Sequence, residues 1–309
     1  MVHRSPDRLT LLAFAAMVLI GGTNFVAVRF SNRELPPFWG ASLRFVAAAI
    51  VLFAITAVRR LPLPRGRALL GTVIYGLLGF GAFYALAYWA LRHVPAGLAA
   101  VVLASTPLLT FLLALLHGQE QFRWRALGGG AVALIGIGVI FRGSVGADVP
   151  LLSLIAMLAA ALCVAESSVV VKNFPKTHPA STNAVAMATG VAVLVTLSLL
   201  LEEPWRVPVR ASTWIALSYL ILLGSSAAFV LFLFILGRWT ASAASYQFVL
   251  FPIVAIIVAA LLEHAPVSPS LLFGGGLVLA SVYAGVISQP SPSDTRPKLG
   301  SEPCLTCPE

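Results

Sequence analysis

The sequence predicts an all-α membrane protein of ten transmembrane helices, arranged as two inverted five-helix repeats. Three observations predict it. Only 10% of the 309 residues are charged and 59% are hydrophobic, with a mean hydropathy of +0.96. A soluble domain carries about 25% charged residues, and so sparse a set cannot cover the surface of a water-soluble protein of this length. Ten apolar runs follow one another with short polar breaks, most of them near the roughly 20 residues that a helix needs to cross a bilayer. Finally, the chain repeats itself: PLLTFLLALLHGQEQFRWRALGGG at 107–130 returns as PIVAIIVAALLEHAPVSPSLLFGGG at 252–276.

The runs lie at 9–28, 37–58, 68–91, 95–117, 124–141, 150–171, 180–201, 213–236, 240–262 and 269–287. Span 1 follows Arg4 and Arg8; no small-x-small cleavage site precedes Asn24 and Arg29, so it is read as a retained span rather than a signal peptide. Span 2 opens at Pro37, and span 3 follows the break LPLPRGR. Span 4 contains Pro107, and span 5 opens on Gly128, Gly129 and Gly130. The second half repeats the pattern, with Pro252 inside span 9 and Gly274, Gly275 and Gly276 opening span 10. All ten are apolar on every side and rich in Gly and Ala, unlike the short alternating strands of a membrane β-barrel. Helices satisfy every backbone polar group within the segment, which hydrocarbon demands.

Basic residues set the expected orientation. With the N-terminus in the cytoplasm, the inner segments hold Arg4, Arg8, Arg59, Arg60, Arg65, Arg67, Arg123, Arg125, Lys172, Lys176, Arg238, Arg296 and Lys298. The outer segments hold Arg29, Arg33, Arg92, Arg142, Arg206 and Arg210. Thirteen against six follows the positive-inside rule and puts both termini in the cytoplasm. The net charge of +9 is therefore topological; it forms no basic, aromatic-interleaved face for nucleic acid.

The halves also match at their starts, LLAFAAM at 11–17 and LLSLIAM at 151–157. The expected units are 1–145 and 146–288, followed by a disordered cytoplasmic tail, 289–309. Because five is odd, the second unit begins on the opposite side of the membrane. Such inverted repeats are the architecture of many secondary transporters, with the substrate site near the midplane between them. Cys304 and Cys307 form a lone CLTC in the tail and Cys163 lies within span 6. One CxxC falls short of the four ligands of structural zinc, so no metal is expected.

GGTNFVAVRF at 21–30, PFWGASLRFVAAAI at 37–50, AGLAAVVLASTPLLTFLLALLHGQE at 96–120 and LGSSAAFVLFLFILGRWTASAASYQFVLFPIVA at 223–255 resemble the EamA-type drug/metabolite transporters. The resemblance extends to YddG-like amino-acid and metabolite exporters and covers nearly the whole chain outside the tail. It departs at Gly21–Gly22, where the family often has Trp-Gly, and at Glu263, which stands farther from its glycines than Glu120 does. What the resemblance implies is export of a small-molecule substrate, amino acids or other metabolites or drugs, across the bacterial inner membrane. Protons are a candidate coupling partner, and the lipid bilayer is the remaining partner.

Candidate site residues follow from polarity within the spans. Asn24, Tyr84, Tyr88, Ser105, Glu166, Ser225, Phe229, Tyr246 and Gln247 are read as cavity candidates. Phe80, Tyr84 and Tyr88 share one helix face. Glu166 is the acid deep in a span, and is read either as a proton carrier or as a carboxylate reaching the inner surface near Lys172. Arg44 matches the family's span 2 arginine; it is read either as a tie to backbone carbonyls or as an attractor of an anionic substrate group. Pro107 and Pro252 are read either as paired hinges or as static kinks. The glycine triplets lack the lysine of a phosphate loop and are read as packing surfaces. His93, His117, His178 and His264 fall at span ends and Glu166 is read as standing alone, so no acid–base or metal cluster is expected. No catalytic residue and no cofactor is therefore expected.

Overall fold

A computed structural model describes residues 8–91, 93–94, 96–140, 149–263 and 269–282. The tail 289–309, with Cys304 and Cys307, and the boundary between the two units lie outside the described residues. Span 1 is Arg8–Ser31, span 2 Pro37–Val58, span 3 Arg67–Ala90, span 6 Leu151–Asn173, span 7 Pro179–Leu200 and span 8 Ala211–Leu236. Span 5 is Trp124–Ile140 and span 10 is Pro269–Val282. Among the described residues, seven helices are long and apolar enough to cross a membrane. The chain is an all-helical, multi-pass membrane protein.

The packing carries the inverted repeat. Span 2 pairs with span 7, and span 5 with span 10, across the two halves. Span 1 packs on spans 8 and 9, as span 6 packs on spans 3 and 4. Exchanging the halves thus maps each contact onto another, the signature of a pseudo-two-fold axis in the membrane plane. Close approach relies on small residues, because lipid offers no hydrophobic drive between helices. At Gly76 a Cβ would meet the Ala186 carbonyl oxygen at 2.4 Å, so spans 3 and 7 touch backbone to backbone.

Spans 3 and 8 are not uniform α-helices. Each widens into a π turn, at Leu77–Ala82 and Leu220–Ala227. These turns occupy matched places, since Gly79 and Gly224 lie 145 positions apart, as do Pro107 and Pro252.

Spans 4 and 9, where Pro107 and Pro252 are read as hinges or kinks, are both broken. Span 4 divides into Ala96–Leu103 and Thr106–Leu116. Pro107 has no N–H for the Leu103 carbonyl, and Thr106 Oγ1 donates to that carbonyl instead, at 2.5 Å. Ser105 Oγ likewise donates to Val102 O at 2.6 Å. Span 9 divides into Ala241–Ser245 and Gln247–Glu263. Its break falls at Tyr246, whereas Pro252 lies inside the second helix. The two breaks do not match: one adjoins its proline, and the other precedes its proline by six residues.

The glycine triplets divide in role. Gly130 lies against Leu108 and Gly274 against Gly136, but Gly128 and Gly276 face open space. Span 10 buries Gly274, Val278 and Ser281, while Gly276 and Ala280 are exposed.

Candidate substrate cavity

A cavity of about 200 Å³ lies between the two halves. Its floor is set by Met17, Phe232 and Gln247, and its lining extends to Val28 and Leu91 near the side opposite the start of span 1. Spans 1, 2, 3, 4, 6, 8 and 9 all contribute. The walls are mostly aromatic and aliphatic, with a few polar groups set among them, as small-molecule sites usually are.

Matched positions of the two repeats both contribute to the lining of this space. Gly79 and Gly224, Tyr84 and Phe229, and Leu103 and Phe248 are each separated by 145 positions, and all six line the cavity. The chemistry is nevertheless one-sided. Tyr84 faces Phe229, and Arg44, counted from the helix-opening Pro37, has Ala186 as its counterpart counted from Pro179. The cation of the cavity belongs to the first repeat alone.

Arg44 is 3% exposed and lines the cavity. Its Nε donates to Ser225 Oγ at 2.6 Å and its Nη2 to the Gly224 carbonyl at 3.1 Å. Its guanidinium lies 4.8 Å from the Phe45 ring centroid and 5.9 Å from that of Tyr84. Asn24 Nδ2 donates to the same Gly224 carbonyl at 3.1 Å. The π turn explains this convergence: its wider winding displaces the backbone hydrogen-bond ladder and presents a carbonyl to side-chain donors. No carboxylate pairs with Arg44 among the described residues, so a buried cation stands in the wall without a counter-ion. Asn24 Oδ1 beside it has no hydrogen-bond partner.

Of the residues singled out from the sequence, Asn24, Arg44, Tyr84, Tyr88, Phe229 and Gln247 line the cavity. Ser225 lies behind the wall and holds Arg44 in place. Ser105, Tyr246 and Glu166 do not line it. Ser105 is occupied by the break in span 4, and Tyr246 is buried at the break in span 9. Glu166, read from the sequence as standing alone, turns toward span 4, where its Oε1 lies 3.2 Å from His117 Nε2. It is not directed at Lys172, whose ammonium donates to the Trp239 carbonyl.

Below the floor, on the side where span 1 begins, the bundle is closed. Glu120, whose side chain is 3% exposed, accepts from Ser242 N at 3.0 Å, Ser242 Oγ at 2.6 Å and Arg123 Nη2 at 3.0 Å. Thr110 and Ser245 share a hydrogen bond of 2.9 Å, and the rings of Phe14 and Trp239 pack 5.1 Å apart. On the opposite side Glu203 accepts from the N–H groups of Phe38 and Trp39 in the first turn of span 2. The indoles of Trp39 and Trp205 stack at 4.4 Å. Sequence reasoning missed Glu203 and Trp39 as fastenings; a carboxylate beside EPW and a tryptophan beside PPF were the only local signals.

The EamA-like transporter family profile matches residues 8–142 and 151–286, one copy per half. The chain belongs to the EamA-like transporter family. It is 28% identical over 282 residues to the "Probable amino-acid metabolite efflux pump" of Salmonella typhimurium, covering 87% of this chain and 92% of that one. It is 31% identical over 257 residues to the "Probable terminal-alkyne amino-acid exporter" of Streptantibioticus cattleyicolor, covering 79% and 82%. An inner membrane transporter of Escherichia coli, YedA, is 29% identical over 252 residues. A crystal structure superposes with a TM-score of 0.76 at 21% identity, covering 90% of this chain and 96% of that one, and so shares the EamA-like fold.

Proposed function

We propose that this EamA-like transporter is a secondary exporter of small metabolites carrying a carboxylate and an apolar side chain, with amino acids as the favoured class. It would work by alternating access across a bacterial inner membrane. The observation that carries the reading is Arg44, buried in the cavity wall with no acidic partner among the described residues. A charge at membrane depth costs several kcal/mol unless it is paired, and a substrate carboxylate supplies the missing counter-ion. Asn24 Oδ1, close to the same carbonyl, offers an acceptor for an ammonium. Tyr84, Tyr88, Phe229 and Phe248 give the side chain an apolar seat. The amino-acid names of two relatives support this class.

The Glu120–Ser242 fastening, on the side of the cavity where span 1 begins, supports alternating exposure of one site. Proton-driven export of lipophilic drugs, the rival reading, gains nothing from Glu166, which stands outside the cavity.

The test is a binding panel in proteoliposomes, comparing free amino acids with their carboxamides. Loss of a charge-assisted hydrogen bond, about 1.5–3 kcal/mol, lowers affinity for the amide by about tenfold to a hundredfold. Equal binding of acid and amide by the wild type would refute the assignment.

A further inference from the structure

A second cavity, of about 570 Å³, lies apart from the first on the side where span 1 begins. Its walls come from the start of span 3, the connection between spans 6 and 7, and the end of span 8. Lys172, Lys176 and Arg238 stand in these walls with Thr72, Thr177 and Thr182, and among the described residues no carboxylate lines the space. Glu120, on the same side of the bundle, is already committed to Arg123 and Ser242.

The cations are held in place from behind. Lys172 Nζ donates to Trp239 O and Lys176 Nζ donates to Gly237 O at 3.3 Å. Both thereby offset the negative carbonyl end of span 8. The Arg238 guanidinium rests 3.6 Å from the Phe234 ring centroid. An ammonium has three donors and a guanidinium five, so donors remain on all three. The wall behind them is firm: a Cβ on Gly71 would meet the Phe174 ring at 2.2 Å. The cavity stands where spans 3, 6, 7 and 8 begin or end, at the depth of lipid headgroups.

We propose that this cavity binds a phosphate group. Three cations in the walls of one space suit a compact anion with several acceptor oxygens better than they suit a single carboxylate. The phosphate would come from an acidic phospholipid or from a soluble phosphate in the adjoining compartment. This inference is independent of the substrate reading.

The experiment uses the full chain in nanodiscs of mixed phosphatidylcholine and phosphatidylglycerol, with retained lipids counted by native mass spectrometry. A parallel arm titrates inorganic phosphate in phosphatidylcholine alone, read by thermal shift. The wild type is expected to retain phosphatidylglycerol preferentially or to be stabilised by phosphate, and the arm that responds identifies the source. K176Q/R238Q changes two exposed side chains and leaves the packed Lys172 intact. It should reduce the preference, or the phosphate affinity, by about fivefold for each cation removed. R59Q/R60Q, on the same side but outside the cavity, should leave both unchanged. The proposal is overturned if the wild type responds in neither arm, if K176Q/R238Q responds like the wild type, or if R59Q/R60Q loses as much.

Discussion

Gly224 sits where the π turn of span 8 meets Asn24 and Arg44, and replacing it by alanine tests that junction directly. A Cβ there would stand 2.0 Å from Asn24 Oδ1 and 2.9 Å from its Cγ. That is roughly 1.5 Å inside ordinary van der Waals separation. The Asn24 amide must swing away and release its 3.1 Å hydrogen bond to the Gly224 carbonyl. A lost hydrogen bond costs about 0.5–1.5 kcal/mol, and overpacking costs about 1–3 kcal/mol. Alanine returns about 0.5–1 kcal/mol as the better helix former. The net expectation for G224A is a loss of roughly 1–4 kcal/mol. In an N24A background the obstructing amide is gone, and the same substitution should be neutral to within about 0.5 kcal/mol or slightly stabilising. The assay is a double-mutant cycle on equilibrium unfolding in mixed micelles, followed by tryptophan fluorescence. If G224A is as stable as the wild type, or costs the same in both backgrounds, Asn24 does not lie against Gly224 and the geometry argued for Arg44 fails with it.

Four further outcomes are expected. R44Q should lower amino-acid affinity by about tenfold to a hundredfold, the worth of one charge-assisted hydrogen bond, and R44K should recover part of it; unchanged binding in R44Q would remove the carboxylate assignment. E166Q should leave substrate affinity within about twofold, since the carboxylate faces His117 rather than the cavity; a larger loss in a titration of purified protein would contradict that placement. E120A removes three hydrogen bonds from the lower closure and should raise the labelling rate of a cysteine introduced at Ser245 by about tenfold or more. Glu34 is held below the ordinary glutamate pKa mainly by a hydrogen bond from Thr213, with the Arg210 and Val209 N–H groups adding to it against desolvation. Its fastening of the 201–210 loop should therefore persist above the ordinary value and weaken as pH falls through the lowered one, seen as faster proteolysis of that loop in acid.

The membrane class, the helical spans and the doubled architecture were legible from composition and from the repeated segments, because hydrocarbon leaves a chain few alternatives. Arg44, Tyr84 and Gln247 could be singled out as polar groups at membrane depth, and all three line the cavity. Glu166 was singled out for the same reason and does not, because depth along a helix says nothing about the direction in which the side chain leaves it. The prolines marked spans 4 and 9 for interruption but not where it falls: Pro107 interrupts its helix where hydroxyls stand ready to cap it, whereas Pro252 is absorbed within a helix and the break comes at Tyr246. By itself, then, the sequence determined the solvent, the number of crossings and their inverted pairing, which depend on counts and periods along the chain. Only the tertiary structure decided which side chains share a cavity, that the Gly224 carbonyl gathers Asn24 and Arg44, and which side is closed. Those depend on contacts between residues as much as 200 positions apart, and no local pattern encodes them.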